Sequence, residues 1–416
     1  LYVLNYNGSQ DLAYNQPGYI VGNPALSDLD NDNDLEIIFT TQNGNDAGEL
    51  YAIHHTGDNV QGFPVNVGER MSAGPAVGDL DGDGILEIVI CTWGEKIYAY
   101  DKFGSLKFEK ETSKRFNTPA TLVDLDDDGD LEIVAGNDDG QLFVLHHDGS
   151  ELAFFDTGDD IRGGISVADV DDDGSNELLF AGYDDMLHIW NPLSNTELDG
   201  WPLDMGSNSV TEPLTADLDN DGDLEIIACK RSGTLFIMHH DGTNYDGFPL
   251  ELTGNIETTP IIRDIDGDGD FEIFIPTTMG LKAIDIKSEL GSRSSWSMHR
   301  SNSARTGSAS LVFVSVAEEH ASTPDDFKVS SNYPNPFNPS TTVDIQTNIN
   351  GRLAVSIFDV SGRVINTLIN KKLPAGRHRV SWSGENGIGD VMPTGVYFIK
   401  VVSGKKVDLQ KVMLIK

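Results

Sequence analysis

One line of sequence is written six times. It reads DLDNDNDLE from Asp28, DLDGDGILE from Asp79, DLDDDGDLE from Asp124, DVDDDGSNE from Asp169, DLDNDGDLE from Asp217 and DIDGDGDFE from Asp264. The first aspartates are 51, 45, 45, 48 and 47 residues apart. A fixed period of this size marks repeated units, none of which can bury its apolar face alone. Small-residue stretches precede the acids, as in SAGPAVG before Asp79. β-Branched runs follow, such as EIVIC from Glu87 and EIVAG from Glu132. A third apolar run then ends in a turn, as in LYAIHHTG and LFVLHHDG. A fourth opens on an aromatic–proline pair in three copies: Phe63-Pro64, Trp201-Pro202 and Phe248-Pro249. Four short strands per repeat, with no helical periodicity, predict an all-β fold, a six- or seven-bladed β-propeller over residues 1–316.

The blade count stays open. LYVLNYNGSQDLAYN at the N-terminus matches the third and fourth strands of a further blade. It either closes a six-bladed ring, joins Ser310–Val316 in a degenerate seventh blade, or pairs with another molecule, because an unpaired strand templates association. A fourth strand of the last blade is expected around SSWSMHR, residues 294–300. The chain begins at Leu1 within a strand-like run, which reads as a processed mature form or a cloned segment, any export signal being already removed.

Charge is divided unevenly. Residues 321–416 hold 12 Lys+Arg and 7 Asp+Glu, which leaves 16 against 60 in residues 1–320, a net of −44. Such a body repels nucleic acid and anionic membranes and suits cations or a basic partner. No apolar run approaches the roughly 18 residues of a membrane helix. Cys91 and Cys229 occupy equivalent places in two repeats, so they are expected as separate buried thiols.

Positions 1, 3, 5 and 9 of the repeated line are acidic in all six copies. Position 6 is Gly in five and Asn33 in the first, the residues that most cheaply supply a left-handed turn. Position 7 varies and includes Ile85, so it is read as lending its backbone carbonyl. Carboxylates plus a carbonyl make a hard, all-oxygen site of the kind calcium takes. The ligand sets are Asp28, Asp30, Asp32, Asp34, Glu36; Asp79, Asp81, Asp83, Ile85, Glu87; Asp124, Asp126, Asp128, Asp130, Glu132; Asp169, Asp171, Asp173, Ser175, Glu177; Asp217, Asp219, Asp221, Asp223, Glu225; and Asp264, Asp266, Asp268, Asp270, Glu272. About six Ca2+ are expected, their binding energy acting as folding energy.

The small-residue strand, the D-x-D-x-D-G-x-x-E loop and the strand after it resemble the FG-GAP/VCBS repeats of integrin α-subunit propellers and of bacterial extracellular propellers, over roughly residues 1–310. The resemblance implies calcium in the loop between the first and second strands of each blade. Asn33 departs from the pattern and weakens the first site.

Three histidine pairs, His54-His55, His146-His147 and His239-His240, end third strands. Neighbours on a strand point to opposite faces, so these are read as blade-surface or turn residues rather than zinc ligands. No HExxH, GxSxG, P-loop or GxGxxG arrangement is present.

A linker is expected at residues 317–330, then a small domain at 331–416. Alternating strands such as TTVDIQT, GRHRVSW and GVYFIKVVSG predict an immunoglobulin-like sandwich. YPNPFNP from Tyr333, IFDVSGR from Ile357, LPAGRHRVSW from Leu373, PTGVYFIK from Pro393 and the closing KVMLIK resemble the type A sorting domain of type IX secretion cargo and the related flagellar-hook-cap Ig-like domain. That resemblance implies export to the surface or medium of a Gram-negative bacterium. The expectation is a secreted, non-enzymatic calcium-binding structural or adhesive protein. An acidic propeller, a basic tail and a spare N-terminal strand would let copies join head to tail in a filament. Two readings stay beside it: a propeller that binds or degrades polysaccharide, with Trp93, Trp190 and Trp201 as candidate platforms, and an accessory part of a larger secreted enzyme. A surface polysaccharide or protein ligand is the remaining partner class.

Overall fold

A computed structural model describes residues 1–5, 8–44, 48–265, 270–286, 297–302, 305–308, 327–329, 333–335, 337–347, 351–359, 363–374, 376–387, 391–403 and 406–415. Every regular element among them is a β-strand. The chain divides into two compact units, Leu1–Phe313 and Val314–Lys416.

Each repeat of the first unit folds into one antiparallel up-and-down sheet, a blade. The second is representative: Ala76–Gly78, Glu87–Cys91, Lys96–Tyr100 and Leu106–Glu111, paired in sequence order. Its second strand is buried at every residue, as are Glu36–Gln42, Glu132–Gly136 and Glu177–Ala181. A strand covered on both faces by neighbouring blades must be apolar throughout, which is why these runs read as unbroken β-branched stretches. The fourth strand Leu106–Glu111 has no buried residue and carries the charge. Ile38, Leu50 and Ala52 of the first blade pack against Ile88, Ile90 and Tyr98 of the second. Hydroxyls then tie blade to blade: Thr40 donates to Ala73 O (2.9 Å), Ser72 to Phe116 O (2.8 Å), Thr121 to Ile165 O (2.8 Å) and Ser166 to Pro213 O. Each aromatic–proline pair is a cis peptide just before a two-residue fourth strand.

The sixth blade differs. It has three described strands, Ile261–Arg263, Phe271–Thr277 and Gly280–Ile286. Ile262, Ile273 and Ile275 join the core shared with the fifth blade, while Ile261 and Leu281 on the other face are exposed. Residues 294–296 of the expected fourth strand lie outside the described residues. Met298, within the same stretch, bridges Ile261 on the innermost strand, not the outer edge, which corrects that expectation. Tyr2–Leu4 and Gln10–Ala13 pair with each other in a two-stranded sheet. They do not enter the sixth sheet; Leu1, Val3, Leu12 and Tyr14 instead pack over Ile37, Phe39, Tyr51 and Ile53 of the first blade. Ser310–Val316, the suggested partner in a seventh blade, lies outside the described residues.

Residues 297–308, where described, run along the innermost strands. Ile262 N donates to Ser297 O (3.1 Å), Val77 N to Thr306 O (3.0 Å) and Leu122 N to Gly307 O (2.7 Å), so the segment touches the sixth, second and third blades. Arg300, 2% exposed, is enclosed there: its guanidinium donates to Pro75 O, Arg305 O and Thr306 O. Its backbone N–H meets the carboxylate of buried Glu212 from the fifth blade, which also pairs with His299 Nδ1.

The second unit is a two-sheet sandwich. Phe327–Val329, Thr341–Thr347 and Gly376–Trp382 form one sheet; Val364–Leu373, Gly351–Asp359, Gly395–Ser403 and Lys406–Leu414 form the other, in that order. Trp382 and Phe337 fill its core, and Tyr397 Oη donates to Pro393 O (2.9 Å). The strand Phe327–Val329 lies inside the stretch read as linker, so the sandwich starts earlier than residue 331.

Candidate metal loops

The acid loops share one pattern of hydrogen bonds. The position-1 carboxylate accepts the N–H of position 6: Asn33 to Asp28 (3.0 Å), Gly84 to Asp79 (2.8 Å), Gly129 to Asp124 (3.2 Å), Gly174 to Asp169 (3.2 Å). Position 6 is left-handed in the five loops where it is described, with φ from 70° at Asn33 to 100° at Gly222. The position-5 carboxylate accepts the N–H of position 7, at 2.7 to 2.9 Å in the first five loops. The closing glutamate's Oε2 accepts the N–H of position 2 in all six: Leu29, Leu80, Leu125, Val170, Leu218 and Ile265, at 2.7 to 3.0 Å. That bond explains why position 9 is Glu in every copy, since it pins the first strand of the blade to the second.

Several inward oxygens of the same carboxylates are buried and without a hydrogen-bond partner: Asp79 Oδ1, Asp81 Oδ1, Asp124 Oδ1, Asp171 Oδ1, Asp217 Oδ2 and Asp219 Oδ1. Asp217 is fully buried. Orphaned buried carboxylate oxygens are costly unless a cation meets them. Ligand oxygens of Asp28, Asp30 and Glu36, and of Asp79, Asp81 and Asp83, lie within 4.8 Å of one another. This donor set fits a hard divalent cation. In the sixth loop Asp264, Asp270 and Glu272 are described, whereas Asp266 and Asp268 lie outside the described residues. Burial pushes the carboxyls of Glu177 and Glu225 up to about 7, and those of Asp171 and Asp219 upward too, with neighbouring aspartates adding to the shift.

The free Oε1 of the closing glutamate meets a group that the sequence reading left on the blade surface. Strand register sets it. Ile37 pairs with Ile53, Ile133 with Leu145 and Ile226 with Met238, so one step further Glu36, Glu132 and Glu225 stand opposite His54, His146 and His239. Their Nδ1 atoms lie 3.1, 3.4 and 3.1 Å from Oε1. The second histidine of each pair reaches position 7: His55 to Asp34 (3.2 Å), His147 to Asp130 (2.8 Å), His240 to Asp223 (3.1 Å). In the second blade Lys107 Nζ lies 2.7 Å from Asp81 and 3.0 Å from Glu87; in the fourth, Asn191 Nδ2 donates to Glu177 (3.0 Å). The sequence signal for this contact was present. In an up-and-down blade the turn after the third strand lies at the same end as the acid loop.

Away from the loops, Cys91 and Cys229 are free, buried thiols, as expected. Trp190 and Trp201 are buried core residues. The guanidiniums of Arg70 and Arg115 lie 3.5 and 4.5 Å from the ring centre of Trp93. His188, stacked on Phe180, bonds Asp184 and Glu197. Burial would lower its pKa, but those two carboxylates outweigh it and raise it to about 9. Among the described residues no helix is long and apolar enough to cross a membrane.

Residues 28–90 and 217–275 match the FG-GAP-like repeat, and residues 336–406 match the FlgD Ig-like domain. No curated protein matches the chain. Solved structures similar to it include BamB from Moraxella catarrhalis (TM-score 0.41, 14% identity, covering 67% of this chain and 88% of that one). Others are BBS1N in complex with ARL6DN (0.45, 11%, 66% and 80%) and Sqt1 from Saccharomyces cerevisiae (0.47, 16%, 62% and 69%). By its blades and the two domain matches, the chain is a β-propeller carrying FG-GAP-like repeats, followed by an FlgD Ig-like domain.

Proposed function

We propose that this is a secreted, non-enzymatic calcium-binding propeller with a structural or adhesive role at a bacterial surface. The observation that carries the calcium reading is the set of buried, unpartnered carboxylate oxygens that recurs in the second to fifth loops. With metal bound, the aspartates at positions 1, 3 and 5, the position-7 carbonyl and Glu Oε1 would hold Ca2+, while Glu Oε2 keeps its backbone bond. Calcium then acts as a clip between the first two strands of each blade and supplies the positive charge that a body of −44 lacks. Export through a type IX pathway rests on the tail motifs already quoted. Assembly head to tail is supported by the N-terminal two-stranded sheet, whose Tyr2 and Leu4 are 69% and 60% exposed, and by the exposed Ile261 and Leu281 of the sixth blade.

The test is thermal unfolding of the full chain with Ca2+ and with excess EGTA, together with light scattering under both conditions. Chelation should lower the midpoint by at least 10 °C, because several sites each stabilise the native state by mass action. An unchanged midpoint refutes the calcium reading. A monomer at all salt and calcium concentrations refutes the filament.

A further inference from the structure

The six loops are not equivalent. The first, third and fifth carry an imidazole nitrogen at the closing glutamate; in the second and fourth that place is taken by Lys107 and Asn191. We propose that those three loops are also sites for a borderline divalent transition metal of the Zn2+ class. Each would bind it through His, Glu and the position-3 Asp: His54 with Glu36 and Asp30, His146 with Glu132 and Asp126, His239 with Glu225 and Asp219. The proposal goes beyond the calcium reading and does not depend on it.

Three observations carry it. The first is donor chemistry. Imidazole favours Zn2+, Co2+ and Ni2+ over Ca2+, whereas the second and fourth loops offer these ions only oxygen and a competing ammonium or amide. The second is spacing. Two donors about 2.0–2.1 Å from one tetrahedral ion stand about 3.3 Å apart. Nδ1 and Oε1 are separated by 3.1, 3.4 and 3.1 Å, and His54 Nδ1 is also 4.0 Å from Asp30 Oδ2. In the third and fifth loops the ligand atoms of Asp, Glu and His all fall within 4.8 Å of one another. The third is preorganisation. Glu36, Glu132 and Glu225 are fully buried and held through Oε2 by a backbone N–H, so Oε1 has a fixed direction. Glu132 Oε1 makes no well-aligned hydrogen bond and Asp219 Oδ1 has no partner, so donors are available at both sites. Each histidine is only partly exposed, at 26%, 33% and 30% of its side chain, which leaves room for water as a fourth ligand.

The experiment titrates chelator-stripped full-length protein with Co2+, a visible probe for this metal class, and counts bound ions by absorbance and by metal analysis. Circular dichroism checks the fold of every variant. Three Co2+ per chain are expected. His54→Ala, His146→Ala and His239→Ala should each remove one, and the triple variant all three. The control His55→Ala/His147→Ala/His240→Ala, which alters the second histidine of each pair, should keep three. His→Gln replacements repeat the series if an alanine variant does not fold. A folded parent that binds no Co2+, a count unchanged in H54A/H146A/H239A, or an equal loss in the control overturns the proposal. A parallel Ca2+ titration separates the two readings. Six Ca2+ without imidazole-dependent Co2+ sinks this proposal alone, and three imidazole-dependent Co2+ without Ca2+ sinks the calcium reading alone.

Discussion

Replacing Arg300 with methionine should be among the costliest single changes in the propeller. The side chain is 2% exposed, and its charge faces Glu212, itself 2% exposed. Burial lowers the guanidinium's pKa to about 10, so it is charged at neutral pH. Methionine fills comparable volume, so the cavity contribution is small and the loss is polar. Three backbone carbonyls, of Pro75, Arg305 and Thr306, lose their donor, and Glu212 keeps a buried charge with less compensation. Leaving a buried acceptor without its donor costs about 1–3 kcal/mol, so losing three such bonds should cost about 3–5 kcal/mol in all. With a urea m-value of roughly 3 kcal/mol/M, the midpoint falls by about 1–1.7 M. The assay is urea unfolding of the full chain at saturating Ca2+, followed by the fluorescence of buried Trp190 and Trp201. The double variant Arg300→Met/Glu212→Gln removes the stranded charge and should recover about 1 kcal/mol or more relative to additivity. A single-variant loss under about 1 kcal/mol, or a double variant that is merely additive, refutes the reasoning.

Other outcomes follow from the loops. In EGTA, stability should fall as pH rises from about 5 to about 7.5, because Glu177 and Glu225 hold their protons up to about 7 in the folded state but release them near 4.5 when unfolded. The folded state then binds more protons across that window, so raising pH favours unfolding; a thermal midpoint that rises across it contradicts the assignment. Lys107→Met removes a tethered ammonium from the second loop and should tighten its Ca2+ binding by about 1 kcal/mol, roughly fivefold, measured by calorimetry. Unchanged or weaker binding would show that the lysine does not compete. At Gly129 an added Cβ meets nothing within 4 Å, so the cost of substitution is the backbone's alone. Gly129→Ala should lose about 1–2 kcal/mol, and Gly129→Asn less, since Asn33 already adopts φ 70° at the same place. Equal losses in a denaturation series would refute the conformational account.

The parts legible in the sequence were those carried by local pattern. The D-x-D-x-D line marked the turn and its left-handed sixth position, because both are settled within nine residues; that the closing Glu also takes the N–H of position 2 came only from the structure. Burial of the second strands followed from their unbroken β-branched runs. The histidines lie in the turns where they were expected, but their contact with the acid loop was missed for a physical reason. Alternation along one strand says which face a residue takes, but contact with the acid loop depends on the end of the strand and on register with the strand before it. Arg300 and Glu212 were missed for a related reason. They lie 88 positions apart, in segments with no periodicity, and only the packing of the blades brings them together. A hint was available, since His299, Arg300 and Arg305 concentrate positive charge in an otherwise acidic body.

The segment that holds Arg300 also bears on the order of folding. Its bond to Pro75 joins residues 225 positions apart, and its other partners belong to the second, third, fifth and sixth blades. Each blade can form from contacts within about 50 residues, quickly and as the chain emerges, but contacts of such long range close last. The innermost segment can settle only when the blades around it already stand at their final spacing. A segment that meets the second, third, fifth and sixth blades at once thus reads out whether those blades have come together. In a chain with a misplaced blade this segment would stay undocked, with its charges in water and its backbone open to local unfolding.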